Sequence, residues 1–338
     1  MPDAAVDAFL ARAGWSAATR TALAGDASAR RYLRLRQPDG ARAVLMIAPP
    51  APDDSTARFL SVGTSLARLG YSVPQIFAAA PEQGLALLED LGDAVLARVV
   101  VETPVQEAPL YAAVADFLAD LHRHPAPSDL PRPDADAMAA MTAPAADWYR
   151  AGGAGDTAAA HRLTAALAPA LEALPGWDRP VLAHRDFHAE NLIWLPDRTG
   201  PARLGLLDFQ DAFACLPAYD LVSLLEDARR DLAPGLRQDL LARYAAATDA
   251  DPQALDLAMA VLGAQRNLRI LGIFARLCLH LGKARYVDLI PRVWGHLAAD
   301  LAHPALTDLR RAVGDLLPPP EPAFLTEMRA RCGTVPTP

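Results

Sequence analysis

The chain has 338 residues, 52% of them hydrophobic, with 32 Lys and Arg against 40 Asp and Glu for a net charge of -8 at pH 7. That length suits two domains, or one large two-lobed unit, with a sizeable core. The acidic balance argues against a non-specific nucleic-acid binder.

Cys215, Cys278 and Cys332 share no CxxC spacing. They read as thiols of a reducing, cytoplasmic setting, not as a disulfide framework or a zinc site. The N-terminal stretch "MPDAAVDAFLARAGW" carries Asp3 and Asp7 where a signal peptide has positive charge. No uncharged apolar run reaches membrane-spanning length, so neither a membrane nor a nucleic acid is expected as a partner. Lys283 is the one Lys, and Asn191 and Asn267 are the two Asn. In a chain so depleted, an Asn that remains is a less casual choice.

Residues 1–24 read as a helix with Val6, Phe9, Leu10 and Ala13 on one face. Alternation in "RYLRLR", a "PDG" turn at 38–40 and the run "AVLMI" predict a hairpin of strands 31–36 and 42–47. Next, Asp53, Asp54, Ser55 and Thr56 offer caps for a helix carrying Phe59, Leu60, Leu66 and Leu69 and ended by Gly70. "SVPQIFAAA" and "GLALLEDLG" read as two further short strands. From about residue 105 the pattern turns helical. Helices are expected over 107–123, 157–174, 218–230, 234–247, 252–281, 285–301 and 303–315, with short strands at 181–183, 192–195 and 203–207. "PPPEPAF" and the tail after Arg331 look loosely held. The expectation is an α+β chain, a small β-rich N-lobe over 1–92 joined to a mostly helical C-lobe over 93–338.

The stretch "VLAHRDFHAENLIW" at 181–194 crowds polar groups between two apolar runs. A strand before Asp186 and another after Asn191 would hold the segment as a tight exposed loop. Asp186 can accept a hydroxyl proton, and the Asn191 carbonyl is a hard neutral ligand suited to Mg²⁺. Asp208 closes the apolar run "LGLLD", which puts its carboxylate at the mouth of a strand. Two oxygen ligands and one base carboxylate suit metal-assisted phosphoryl transfer, chemistry that needs mostly positioning and charge stabilisation.

The HxDxxxxN pattern at His184, Asp186 and Asn191, followed by a strand ending in Asp208-Phe209, resembles the protein-kinase-like fold. The short gap from Asp208 to "AYDLVSLL" is similar to the aminoglycoside phosphotransferase and choline kinase branch. Within it, "HRDFHAENLIW", "LLDFQDA" and "YDLVSLLEDAR" look most like the bacterial anomeric kinases of N-acetylmuramate and N-acetylglucosamine in cell-wall recycling. The resemblance spans roughly residues 20–300. It implies ATP and Mg²⁺ as cofactors, with a nucleotide and a sugar acceptor as partners. It implies Asp186 as catalytic base and Asn191 and Asp208 as Mg²⁺ ligands. The loop "DASARRYLRL", with Ser28, would lie over the ATP phosphates. The backbone around Glu89, Asp90 and Leu91 would meet adenine. Asp220 would brace the catalytic loop, and His184 would be a structural member of it.

Two departures stand out. Kinases of this fold place a Lys near the position of Met46, and pair it with a helix Glu. Here the N-lobe has no Lys, and no Glu occurs between residues 1 and 81. Losing both together is coherent, because a lone buried charge is costly. Arg30 or Arg31 is expected to supply the missing charge, with Arg34 the weaker candidate. His188 and Glu190 belong to the loop and either line the acceptor or face solvent. Gln210 and Asp211, next to Asp208, suggest substrate contacts or support of the metal ligand. Arg266 could meet the carboxylate of a muramate-type acceptor beside Asn267, although a solvated helix face reads as well for both. The run "DARRDL" at 227–232 reads as solvated charge. Two other functions stay open: a kinase for an aminoglycoside, choline-like or homoserine-like acceptor, and a non-catalytic pseudokinase. Oligomeric state is not legible.

Overall fold

A computed structural model describes residues 3–23, 30–49 and 55–336. In chain order its strands are β1 Thr19–Leu23, β2 Arg31–Arg36, β3 Arg42–Ile47, β4 Ile76–Ala80, β5 Leu85–Glu89, β6 Val181–Ala183, β7 Leu192–Trp194, β8 Leu204–Leu206 and β9 Phe213–Cys215. Its α-helices are α1 Asp3–Arg12, α2 Ser55–Arg68, α3 Leu96–Glu102, α4 Glu107–Leu121, α5 Ala135–Ala140, α6 Thr157–Glu172, α7 Ala218–Leu225, α8 Leu236–Thr248, α9 Pro252–Leu279, α10 Ile290–Asp300, α11 Thr307–Leu316 and α12 Pro322–Ala330.

These elements form two compact units, each discontinuous in sequence. One comprises Met1–Leu110 and Ala189–Ala212, the other Tyr111–His188 and Phe213–Pro338. The first unit holds a five-stranded antiparallel sheet in the order β1-β2-β3-β5-β4. Side chains alternate across it. Leu35, Ala43, Leu45, Ile47, Leu85 and Leu87 face a core completed by Val6, Phe9 and Leu10 of α1. Met46 therefore lies on the opposite face, where it is fully buried. The small β7–β8 hairpin returns to this unit, with Leu192 opposite Leu206 and Trp194 opposite Leu204.

The second unit is helical, apart from the β6–β9 pair. Its axis is α9, whose residues from Met259 to Leu279 are nearly all buried. α9 is long and apolar enough to cross a membrane by length and composition, but most of that stretch is buried inside the fold. A Cβ on Gly272 would meet the Pro144 carbonyl oxygen at 2.2 Å, so only glycine admits the segment that packs there.

The helix expected over 1–24 ends at Arg12, and Thr19–Leu23 is a strand instead. Its pairing with β2, Thr19 opposite Arg36, overrides the helical preference of an Ala-rich segment. The 31–36 and 42–47 hairpin matches the expected bounds, and its turn carries Gly40 at φ +93°. "PPPEPAF" is not loosely held. It leads into α12, where Leu325 and Met328 are buried. The tail after it is tied to α9, with the Gly333 amide donating to the Cys278 carbonyl and the Val335 amide to that of Leu279.

Candidate active site

In the first unit the β7–β8 hairpin brings together two oxygen-bearing side chains distant in sequence. Asn191 ends a short 3₁₀ turn, Ala189–Asn191, just before β7. Its carbonyl accepts from the Leu207 amide at 2.9 Å, which fixes the residue before Asp208. Asp208 follows β8 at φ +59°, a left-handed conformation that Asp tolerates better than most residues. Phe209, fully buried, anchors this bend by stacking on Phe59 of α2, with ring centroids 4.6 Å apart and planes 18° apart. Gln210 Nε2 donates to Asp208 Oδ1 at 3.1 Å and to Asp211 Oδ2 at 3.3 Å. Arg58 Nη2 lies 3.6 Å from Asp211 Oδ1.

Arg30 reaches the same carboxylate. Its Nη1 stands 3.6 Å from Asp208 Oδ1, and its Nη2 donates to the Ser55 carbonyl at the start of α2. It is 7% exposed. Burial raises the pKa of neighbouring Tyr32, and the Arg30 charge opposes this. Arg31 is exposed at the start of β2, and Ser28 lies outside the described residues. Arg34 is engaged elsewhere. Its guanidinium pairs with Asp90 and Asp93, at 2.9 Å from each, which overturns Arg34 as the missing cation. Glu89 Oε1 accepts from Arg198 Nη2 at 2.7 Å, and Asp90 Oδ1 also accepts from the Gly92 amide. The side chains of Glu89 and Asp90 thus hold the segment after β5. Leu91 packs its Cδ1 against Gly205.

Asn191 and Asp208 are both hard oxygen donors. Among the described residues no group of three or more His, Cys, Asp or Glu is gathered as a metal cage. A two-donor set of this kind suits Mg²⁺, which keeps several waters and takes the rest of its shell from phosphate.

In the second unit β6 delivers the chain to His184. Asp220, fully buried on α7, accepts the His184 amide on Oδ2 at 2.6 Å and the Arg185 amide on Oδ1 at 3.0 Å. Burial pushes its carboxyl up to about 6, against the pull of His184 and of those two amides. The clasp holds Arg185 at φ +80°. Phe187, fully buried, stacks on Phe117 and meets the His184 ring edge-on.

Asp186 emerges from this frame. Burial alone would raise its pKa, but Arg269, then His188, Arg266 and His184, together hold it below the usual carboxylate range. It is a carboxylate at neutral pH. His188 is pushed down to about 4 by burial and by Arg229, so its ring is neutral. Glu190 is exposed.

Arg266 and Asn267 do not lie on a solvated face: Arg266 is 3% exposed and Asn267 is fully buried. Asn267 Nδ2 donates to Glu226 Oε2 and to Asp300 Oδ2, each at 2.9 Å, which commits its NH₂ group to the protein. The run "DARRDL" is also not simply solvated, since Asp227 is 3% exposed and accepts the Arg229 amide. Sequence reasoning missed Arg58, Glu226, Asp227, Arg229 and Asp300. For the last four the available signal was their place near the YDL helix and α9, but charged residues there read equally as surface.

The unit boundaries set Arg30, Asn191, Asp208, Gln210 and Asp211 in the first unit, and His184, Asp186, His188, Asp220 and Arg266 in the second. Asp186 and Asn191 remain five residues apart in the chain.

Comparison with known proteins places this arrangement in a family. The chain is 41% identical to the N-acetylmuramate/N-acetylglucosamine kinase of Caulobacter vibrioides, over 91% of this chain and 94% of that one. Among solved structures it is similar to a choline/ethanolamine kinase family protein from Mesorhizobium loti, with TM-score 0.58, 18% identity, and 92% and 98% of the two chains covered. The aminoglycoside phosphotransferase APH(3'')-Id from Streptomyces rimosus, in complex with ADP and streptomycin, gives TM-score 0.52, 19% identity, and 78% and 99% covered. Both likenesses establish the kinase-like fold. The family model described as the phosphotransferase enzyme family matches residues 19–257. This chain, an enzyme with a small antiparallel sheet and a mostly helical remainder, belongs to the phosphotransferase enzyme family.

Proposed function

We propose that the protein is an ATP-dependent sugar kinase that phosphorylates the anomeric hydroxyl of N-acetylmuramate and N-acetylglucosamine, in the reuse of peptidoglycan sugars. The observation that carries this reading is Asp186, kept ionised chiefly by Arg269 and also by Arg266, five residues before the Asn191 carboxamide. The acceptor's identity is supported by the name of the 41% identical Caulobacter relative.

The acceptor hydroxyl donates its hydrogen bond to the Asp186 carboxylate, which orients an oxygen lone pair at the γ-phosphorus and takes the proton as the O–P bond forms. The bond from the γ-phosphorus to the β,γ-bridging oxygen breaks and ADP leaves. Asn191 and Asp208 would hold Mg²⁺, which when bound would supply positive charge to the phosphates. Arg30 adds a positive charge beside Asp208, and in this reading takes the part of the absent N-lobe Lys. Arg31 and Ser28 stay candidates for the phosphate loop. Purine contacts come from the main chain over Glu89–Leu91, whose first two side chains are already engaged. Gln210, and through it Asp211, steadies Asp208, while His188 and Glu190 remain acceptor-side candidates. Residues 1–92 carry nucleotide binding and 93–338 the catalytic and acceptor groups. A cytoplasmic setting goes with the three free thiols.

The test is turnover with Mg-ATP and a panel of acceptors. ADP release with the two amino sugars supports the reading. Release only with an aminoglycoside or choline overturns the acceptor assignment, and release with none favours a binding protein. Asp186→Asn is expected to lower kcat by about 1,000-fold or more with nucleotide affinity kept; retained activity removes Asp186 from the base role.

A further inference from the structure

We infer that Arg266 is the receptor for a carboxylate on the acceptor, and that the enzyme therefore discriminates in favour of an acid-bearing amino sugar over a neutral one. The inference rests on the sugar-kinase reading and extends it to a specificity-determining residue.

Arg266 sits midway along α9 and is 3% exposed. Its Nε and Nη1 are buried with no hydrogen-bond partner. A buried guanidinium without partners is costly, and proteins rarely keep one unless something else completes it. The nearby carboxylates each hold another group, although Asp227 Oδ2 is buried without a partner. Glu226 Oε1 accepts from Arg237 at 3.2 Å and Glu226 Oε2 accepts from Asn267. Asp300 accepts from Asn267, Asp227 accepts from the Arg229 amide, and Asp220 holds the two loop amides. Asp220 and Glu226 lie close enough to feel the Arg266 charge, yet neither hydrogen-bonds it. Two nitrogens of the Arg266 guanidinium are thus left without a protein partner.

The position of Arg266 matches the chemistry. Arg266 acts electrostatically on both Asp186 and His188. Arg269, the strongest charge on Asp186, is three residues further along the same helix. Side chains at that spacing stand about 5–6 Å apart on one face. An acceptor whose hydroxyl meets Asp186 near Arg269 would present a neighbouring ring substituent toward Arg266. N-acetylmuramate carries its lactyl carboxylate on C3, two carbons round the ring from the anomeric centre. N-acetylglucosamine has a neutral hydroxyl there. A charge-assisted hydrogen bond from a guanidinium nitrogen to a carboxylate is roughly twice as strong as a neutral one, which a hydroxyl cannot reproduce.

The experiment compares kcat/KM for N-acetylmuramate and N-acetylglucosamine in wild type and Arg266→Met, and adds wild type with the methyl ester of N-acetylmuramate. Removing one partner of a desolvated charge pair is expected to lower the acid-to-neutral preference by about 100-fold, chiefly through KM for the acid. The methyl ester on wild type is expected to lose a similar factor, and it needs no variant to fold. Equal loss for both sugars, or full turnover of the ester, overturns the inference while leaving the sugar-kinase reading intact. Wild type that phosphorylates neither sugar overturns that reading, and this inference with it.

Discussion

Asp220 clasps the backbone of the loop that follows β6 with both carboxylate oxygens, Oδ2 on the His184 amide at 2.6 Å and Oδ1 on that of Arg185 at 3.0 Å. Asp186 is the next residue, so its direction is set by this contact. Asp220→Asn keeps one acceptor oxygen but turns an NH₂ group toward an amide. It is expected to cost about 2 kcal/mol of stability for the buried donor left unmatched, with kcat lowered about 10- to 100-fold by the misaimed base. Denaturant unfolding and steady-state kinetics measure both. Unchanged kcat would mean that Asp186 is held by something other than this clasp.

Arg30 and Asp208 form the second decisive pair, 3.6 Å apart with Arg30 nearly buried. Arg30→Ala is expected to raise KM for ATP at least about 10-fold and to lower kcat. Arg31→Ala, at an exposed position, is expected to change either by no more than about 3-fold. Titration of ATP against both variants separates the two. Identical behaviour of the two variants would remove Arg30 from the role of the missing Lys.

Phe209 holds Asp208 from behind through its stack on Phe59, close enough to Gly63 that a Cβ there would lie 3.2 Å from the ring. Phe209→Ala opens a cavity and is expected to destabilise the protein by about 3–4 kcal/mol. Below the lowered Tm, turnover should need more Mg²⁺ than wild type, because the bend at Asp208 is no longer fixed. Thermal unfolding and a Mg²⁺ titration test this.

The carboxylates of Glu226 and Asp300 share the Asn267 amide. Burial first, and then the Glu226 charge, pushes the Asp300 carboxyl up to about 9, and burial also raises Glu226. A folded-state pKa above the unfolded value gives stability that is full below about pH 4 and lost as pH rises to about 9. Asp300→Asn imitates the protonated form and can still receive the Asn267 hydrogen bond. Its stability curve is expected to meet that of wild type near pH 4. It should separate in the variant's favour by up to about 1 kcal/mol per pH unit toward pH 9. Parallel curves from pH 4 to 9 would mean that Asp300 is ionised in the fold.

The parts legible in the sequence were those fixed by local patterning. The β2–β3 hairpin was written in the alternation of "RYLRLR" and a turn ending in Gly40. The order Asp186, Asn191, Asp208 was legible because short apolar strands flank the polar loop. Elements decided by distant partners were not. Thr19–Leu23 reads as helix because nothing local reveals its pairing with Arg31–Arg36. Arg266 and Asn267 read as surface because the carboxylates that bury Asn267, Glu226 and Asp300, lie 41 and 33 residues away. Charge type alone does not tell a solvated helix face from an internal polar network.

Phosphorus NMR of the product formed from N-acetylmuramate and Mg-ATP shows whether this phosphotransferase makes a sugar 1-phosphate. A phosphate on the anomeric oxygen is expected to give a phosphomonoester signal split into a doublet by the single anomeric proton and lost in mild acid. An acid-stable triplet from a phosphate on the primary hydroxyl, or no sugar phosphate beside ready turnover of an aminoglycoside or choline, would contradict it.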